Sequence, residues 1–178
     1  IGSKNRSRIC INGERCIEVD YVSQHIGLLY AKAGINYWDT SKRGDIYKVE
    51  APSLETLPDE WKRKFVKDLI LICLNTEDER QAFNAFRGQK LKALKKHVTK
   101  EGWDFPSCTN RLLSDVLQAF RYKHQPIENM LCKGVGGGLQ YMDSCIAERL
   151  IETFTAWQIP ILTIHDSFMV QERHVGLL

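Results

Sequence analysis

The sequence lacks long hydrophobic runs. Its longest uninterrupted apolar stretch, Leu69 to Leu74, is six residues, whereas a helix that crosses a bilayer needs about 20. We therefore predict no membrane-spanning helix. With 43% apolar and 26% charged residues over 178 positions, the composition is typical of soluble globular proteins. A chain of this length can hold a hydrophobic core without metal ions or disulfide bonds.

The cysteine pattern and the N-terminus exclude two further classes. The six cysteines form no CxxC pair and lie near no histidine at zinc-finger spacing, so we predict reduced thiols and an intracellular protein. The first residues, Ile1-Gly2-Ser3-Lys4, include no Met and precede no apolar segment, which excludes a secretory signal. We expect the chain to begin inside a longer reading frame, and the short tail 172–178 suggests a truncation at the other end.

The net charge of +3 is unevenly distributed along the chain. Residues 1–60 carry 8 basic and 9 acidic side chains, residues 61–100 carry 11 and 4, and residues 101–178 carry 6 and 9. The positive excess therefore lies in the middle segment, which is expected where a chain meets a polyanion, although a solvated helix face produces the same pattern. The candidate nucleic-acid contacts in this segment are Lys90, Lys92, Lys95 and Lys96.

Two hairpins are predicted, one near each end of the chain. Asn12-Gly13, between β-branched and apolar residues, is typical of a tight primed turn. In the strand that follows, Ile17 and Val19 point one way, while the opposite face ends in the carboxylate of Asp20. Near the other end, the segments PILTI and FMVQ read as short strands around His165-Asp166-Ser167.

The intervening sequence predicts a largely helical region. Residues 35–58 read as a long loop with an exposed-looking stretch, Gly44-Asp45-Ile46-Tyr47, and the glycines of 133–138 read as a relaxed loop. Residues 59–75 favour a helix, with a buried strand at LILICL as the alternative. The remaining predicted helices are 22–33, 77–86, 89–100, one capped by Thr109 or Asn110, and an amphipathic one at 139–157 that has Trp157 on its apolar side and is ended by Pro160.

Asp20 and Asp166 are the candidate catalytic residues, since each ends or tops a strand and is followed by a turn. A sheet that sets them side by side would make an oxygen-rich site for Mg²⁺. Two such ions, about 3.5–4 Å apart, can stabilise the attacking and leaving oxygens of a phosphoryl transfer. Taken singly, each residue has a structural alternative: Asp20 can open a turn or cap a helix, and Asp166 can occupy a hairpin turn.

The segments IEVDYVSQHIGLLYA and IPILTIHDSFMV resemble the first and third catalytic motifs of family A nucleic-acid polymerases, the group of bacterial polymerase I and the phage polymerases. The His-Asp-Ser-Phe form is also similar to single-subunit phage-type RNA polymerases. By this resemblance Asp20 and Asp166 hold two Mg²⁺ ions, for which Mn²⁺ can substitute. Tyr21 shapes the nucleotide pocket, His165 contacts the primer end, and Gln140 lies near a family position that touches the duplex minor groove.

The middle motif of that family carries Arg and Lys four residues apart on a helix, both aimed at the nucleotide triphosphate. Arg63 and Lys67 have this spacing. The chain departs from the family at Leu71 and Asn75-Thr76, where aromatic residues and a Tyr-Gly pair are usual. It also has His25 where DNA-polymerising members have a Glu that crowds the ribose 2′ position, so the sugar type stays open, and His25 can equally be an ordinary helix residue.

The resemblance implies an α+β fold: a small antiparallel palm sheet of two hairpins backed by helices, with a helical fingers lobe. We assign 1–58 and 126–178 to the palm and 59–125 to the fingers-like lobe. The predicted function is a family A-like DNA polymerase that acts on primer–template and nucleoside triphosphates, with a thumb or accessory domain elsewhere and a viral or mobile-element origin fitting its size. The alternatives are an RNA polymerase or primase, and a non-catalytic nucleic-acid-binding module.

Overall fold

The computed structural model describes residues 3–39, 44–164 and 167–178, which form a mixed α+β fold. The predicted fold class is therefore confirmed. The strands are β1 (Cys10–Ile11), β2 (Glu14–Asp20), β3 (Ile161–Ile164) and β4 (Ser167–Gln171). The α-helices are α1 (Ser3–Arg6), α2 (Gln24–Lys32), α3 (Asp59–Asn75), α4 (Glu79–Phe86), α5 (Lys92–Lys100), α6 (Asn110–Lys123) and α7 (Gly136–Ala156).

The described residues group into two compact units. The first comprises Ile1–Gln24 and Gln140–Leu178, and the second comprises His25–Leu139. All four strands belong to the first unit, and α3, α4, α5 and α6 belong to the second. The assignment of 1–58 and 126–178 to a palm and of 59–125 to a fingers-like lobe stays a prediction.

The sheet joins the two predicted hairpins through their longer strands. Its order is β1-β2-β4-β3, and every neighbouring pair is antiparallel. The first turn has Asn12 at φ 52° and Gly13 at φ 78°, which are the two positive φ angles that a primed turn requires. Every residue of β4 is buried, because this strand lies between β2 and β3. The sheet is thus built around the strand that begins at Ser167.

Helix α2 is shorter than the predicted 22–33. Ser23 has φ 53°, outside the right-handed helical region, so the helix begins at Gln24. At the other end the predicted glycine stop is present: Gly34 has φ 72°, its amide donates to the Ala31 carbonyl, and the Ile35 amide donates to the Tyr30 carbonyl. These two hydrogen bonds form a Schellman motif, which favours glycine at its left-handed position.

The helices of the second unit bury one stripe of each against a shared core. Helix α3 is a helix and not the alternative strand, and it buries Phe65, Leu69 and Ile72 as predicted. The predicted break between helices 77–86 and 89–100 is wrong, since a π-helical segment, Arg87–Leu91, connects α4 to α5. Thr109 caps α6 by accepting a hydrogen bond from the Leu112 amide.

The prediction of an exposed segment at 44–47 is wrong for half of it. Ile46 and Tyr47 are each only 2% exposed, and the Tyr47 ring stacks on Phe120 at a centroid distance of 6.4 Å. The Lys123 ammonium donates to the carbonyls of Asp45 and Lys48, which ties this loop to the end of α6. The polar sequence around Ile46 and Tyr47 concealed their place in the core.

Helix α7 begins and ends earlier than predicted. It includes the glycines of 136–138, which we predicted as loop. Glycine is required at 136, since a Cβ atom there would lie 2.0 Å from the Asn75 carboxamide oxygen. It ends at Ala156 in a second Schellman motif, with Gln158 at φ 57° and the Ile159 amide donating to the Phe154 carbonyl. Trp157, predicted on the apolar side of this helix, follows it instead and is 52% exposed. Pro160 does not end the helix.

All six cysteines have free thiols. No helix of the described residues combines the length with the hydropathy that a bilayer crossing needs.

Candidate functional site

Asp20 ends β2 and lies directly opposite the start of β4. Its Cα partner across the ladder is Ser167, and its side chain is exposed. In the sequence, Ser167 follows Asp166, the second predicted metal ligand. Asp166 and His165 lie outside the described residues. The sheet therefore sets Asp20 against the residue next to Asp166 in sequence.

Glu18, on the same face of β2 as Asp20, is engaged in structural contacts. The Ser167 hydroxyl lies 2.6 Å from Glu18 Oε1, and the Arg6 guanidinium donates to the same oxygen at 2.5 Å. The hydrogen bond from Ser167 and then that from Arg6 lower the pKa of the Glu18 carboxyl below its usual value, because both stabilise the carboxylate. Asp20 has no such partner among the described residues, so Glu18 and Asp20 differ in role.

Tyr21 follows Asp20 in the sequence and packs against the beginning of β4. Its ring meets Phe168 edge to face, with centroids 6.0 Å apart and planes at 80°, and it stays 36% exposed. Partial burial, and then the negative charge of Asp143, raise the pKa of its hydroxyl. Tyr21 is thus a neutral side chain held beside Asp20, a geometry compatible with its predicted role in a nucleotide pocket.

Two residues of this region were missed from the sequence, Gln24 and Asp143. The Gln24 amide nitrogen donates to Asp143 Oδ1 at 2.5 Å, and both residues are half-buried. In the sequence Asp143 resembles the other acids of its helix, Glu148 and Glu152. Only the fold distinguishes it, because the helix places this carboxylate near Tyr21.

The donor chemistry of this end of the sheet fits Mg²⁺, which prefers carboxylate oxygens and completes its shell with water and phosphate. Within residues 3–39, 44–164 and 167–178 no group of three or more His, Cys, Asp or Glu side chains is placed to hold a metal ion. The predicted pair needs Asp166 in addition, so the metal site stays a prediction.

Two other predicted site residues lie on helices. Gln140 is exposed on α7, one turn before Asp143. His25 is half-buried in the first turn of α2. Neither has a hydrogen bond to another described side chain, so their predicted contacts to the minor groove and to the sugar depend on the resemblance alone.

In the second unit, Arg63 is engaged by a loop carboxylate. Its Nε donates to Asp45 Oδ2 at 2.7 Å, and its guanidinium carbon lies 5.6 Å from the centre of the Tyr47 ring. Burial by itself raises the pKa of Asp45, but the hydrogen bonds from Arg63 and from the Tyr47 amide outweigh it, and the pKa is lowered overall. A triphosphate must therefore compete with Asp45 for Arg63.

The cavity beside Arg63 has the wrong charge for a triphosphate. Its volume is about 390 Å³, and five carboxylate and three cationic side chains line it. Lys67, one turn further along α3, is exposed and makes no ion pair with another described residue. Of the two predicted triphosphate ligands, Lys67 is thus the more available.

Of the four lysines predicted to contact nucleic acid, three follow the π-helical segment and one lies within it. Lys92, Lys95 and Lys96 are exposed on α5, whereas Lys90 lies in the segment before it and is half-buried.

No protein-family model, curated protein or solved structure matches this chain. The resemblance to family A polymerases accordingly stays a prediction, founded on the motifs around Asp20 and Asp166.

Proposed function

We propose that this protein catalyses template-directed nucleotidyl transfer. The single observation that carries the proposal is the β2–β4 pairing, which aligns the strand ending in Asp20 with the strand that follows His165-Asp166. These two segments are 146 residues apart in the sequence. Both carry a carboxylate at a strand end, as a two-metal phosphoryl-transfer site requires.

In the proposed reaction the 3′ hydroxyl of a primer attacks the α-phosphorus of a nucleoside triphosphate. A phosphodiester bond forms, the bond to the β-phosphate oxygen breaks, and pyrophosphate leaves. Asp20 and Asp166 would hold the Mg²⁺ ions, whose charge stabilises the attacking and leaving oxygens when they are bound.

The other residues of the proposed site bind and orient. Tyr21 forms one wall of the nucleotide pocket beside Asp20, and its contact with Phe168 holds its ring in place. Lys67 and Arg63 belong to the second unit, and their role as triphosphate ligands depends on the resemblance alone. In this proposal His165 contacts the primer end and Gln140 the duplex.

Primer extension by the purified chain tests the proposal. We expect extension of a primer–template with Mg²⁺ or Mn²⁺, and separate reactions with deoxyribonucleotides and ribonucleotides decide the sugar that His25 leaves open. Asp20→Asn and Asp166→Asn should each lower the rate at least about 100-fold, as expected for loss of charge stabilisation in the transition state. Glu18→Gln is the matched control, because that acid lies on the same strand face but binds Arg6 and Ser167.

A non-catalytic nucleic-acid-binding module is the second candidate, and the pairing of Arg63 with Asp45 favours it. If the chain extends no primer with either sugar, while it binds nucleic acid in a salt-dependent way, this second candidate replaces the first. Retained extension in either Asp variant would refute the two-metal assignment.

A further inference from the structure

Helix α5 presents a basic face, which we call the lysine face: Lys92, Lys95, Lys96 and Lys100. All four side chains are exposed. The opposite side of the helix carries Leu94 and Val98, which are 2% and 1% exposed. At 100° per residue the four lysines fall within one side of the helix. The helix is therefore anchored by its apolar side and offers the lysines to solvent.

Among residues 3–39, 44–164 and 167–178, no acidic side chain pairs with the lysine face. The pairs Lys92–Lys96 and Lys96–Lys100 have the i, i+4 spacing at which like charges repel. Arg87, just before α5, differs, because its guanidinium donates to the Cys108 carbonyl and to Asn110. An anionic ligand would relieve the repulsion that the folded chain leaves within α5.

An exposed indole follows the lysine face directly. Gly102 has φ 85°, its amide donates to the Thr99 carbonyl, and the Trp103 amide donates to the Val98 carbonyl. This Schellman motif folds the chain back onto the last turn of α5 and so fixes the position of Trp103, which is 47% exposed. No ring contact of Trp103 occurs within the described residues.

Trp61, the other tryptophan near this end of α5, already makes contacts within the chain. The Trp61 ring stacks on His97 at 6.2 Å with an interplanar angle of 18°, and its indole nitrogen donates to Glu101 at 2.7 Å. These contacts hold the one acidic residue that follows α5 directly. Trp103 is thus the exposed indole at the end of α5 that has no ring contact within the described residues.

We propose that the lysine face and Trp103 together bind single-stranded nucleic acid, with the lysines on phosphates and one base stacked on the indole. The inference rests on the proposed function for the identity of that strand, which would be the unpaired template. Positive charge next to an exposed aromatic ring is the combination that unpaired strands need, because their bases have free faces. A duplex hides those faces, and a lipid surface would need the apolar side of α5, which is buried.

Binding of a fluorescein-labelled 15-nucleotide oligothymidylate, measured by anisotropy without Mg²⁺ or nucleotides, tests the proposal. The logarithm of affinity should fall with the logarithm of salt concentration with a slope of about −0.7 per neutralised phosphate. Replacing all four lysines by Gln should remove up to about 2.8 from the magnitude of that slope, if each lysine contacts one phosphate. Trp103→Ala should weaken binding by about 5- to 150-fold, the range for loss of one stacked base.

Two control variants separate the site from general charge and from general loss of an indole. The charge control replaces four exposed cations outside α5 by Gln: Arg8, Lys32, Lys133 and Arg149. The indole control is Trp157→Ala, since Trp157 is exposed to a similar extent. Both should bind as the unmodified chain does, apart from a small general effect of net charge.

Four results would overturn the inference. They are equal slope changes in the lysine-face variant and the charge control, no effect of Trp103→Ala, a 15-base-pair duplex that binds as tightly as the single strand, and preferential binding to anionic vesicles. If the wild type binds through the lysine face but extends no primer, the proposed function fails alone. If the wild type extends primers but replacement of the four lysines leaves oligothymidylate binding unchanged, this inference fails alone.

Discussion

A buried polar bridge in the second unit permits a worked stability prediction. His124 is fully buried. Its Nδ1 lies 2.9 Å from the Tyr30 hydroxyl, and its Nε2 lies 2.9 Å from the Ile46 carbonyl oxygen. In the neutral ring, Nε2 carries the proton and donates to the carbonyl, while Nδ1 accepts from the tyrosine. This side chain therefore connects α2, the loop at 44–48 and the end of α6.

His124→Phe removes both hydrogen bonds and keeps an aromatic ring. The packing against Phe120, now at a centroid distance of 4.2 Å, should be largely retained. Loss of a buried hydrogen bond costs about 1–3 kcal/mol when its partner stays buried, so the free energy of unfolding should fall by about 2–6 kcal/mol. Domains typically unfold with about 5–15 kcal/mol, so the effect should be large in urea unfolding followed by circular dichroism.

The control for His124→Phe is Tyr30→Phe, which removes one of the two hydrogen bonds. The double variant should be less destabilised than the sum of the single variants by about 1–3 kcal/mol, since both single changes break the same bond. A free energy of unfolding for His124→Phe within about 0.5 kcal/mol of the unmodified chain would refute the reasoning.

Three further predictions concern other parts of the chain. Gly136→Ala should lower the free energy of unfolding by about 1–3 kcal/mol, because the new methyl collides with Asn75. Gly137→Ala, whose methyl would have nothing within 4 Å, should raise the free energy of unfolding by up to about 1 kcal/mol. Equal effects of the two changes in urea titrations would contradict this. The Glu18 carboxyl should titrate below the usual glutamate range in NMR, and Ser167→Ala should raise its titration midpoint. The contribution of this hydrogen bond to stability is therefore present above the ordinary glutamate pKa and is lost as the pH falls through the lowered pKa. An unchanged midpoint in Ser167→Ala would exclude the Ser167 contact. With a thiol reagent at pH 8, the exposed Cys10 and Cys145 should react first. Cys108 should react slowly, because burial raises its pKa to about 11. The buried thiols should react only on unfolding; they are Cys16, Cys73 and Cys132.

Features set by neighbouring residues were predictable from the sequence. The Asn12-Gly13 turn and the Gly34 helix stop follow from local backbone preference, and the buried stripe of α3 follows from periodicity. Asp20 and Asp166 were singled out because a carboxylate at a strand end is visible in the sequence. The helix boundaries were less predictable, because Ser23 and Gln158 adopt left-handed conformations that are usual for glycine and are not expected at a serine or a glutamine.

Features set by distant residues needed the tertiary structure. The β2–β4 register, the contact of Gln24 with Asp143 and the ion pair of Arg63 with Asp45 each join residues that are 18 to 155 positions apart. The same holds for the burial of Ile46 and Tyr47. Local sequence determined which residues can turn, cap or carry charge. Only tertiary packing decided which charges are neutralised, as Glu18 and Arg63 are, and which stay available to a ligand, as the lysine face does, because neutralisation depends on which chain segment lies opposite.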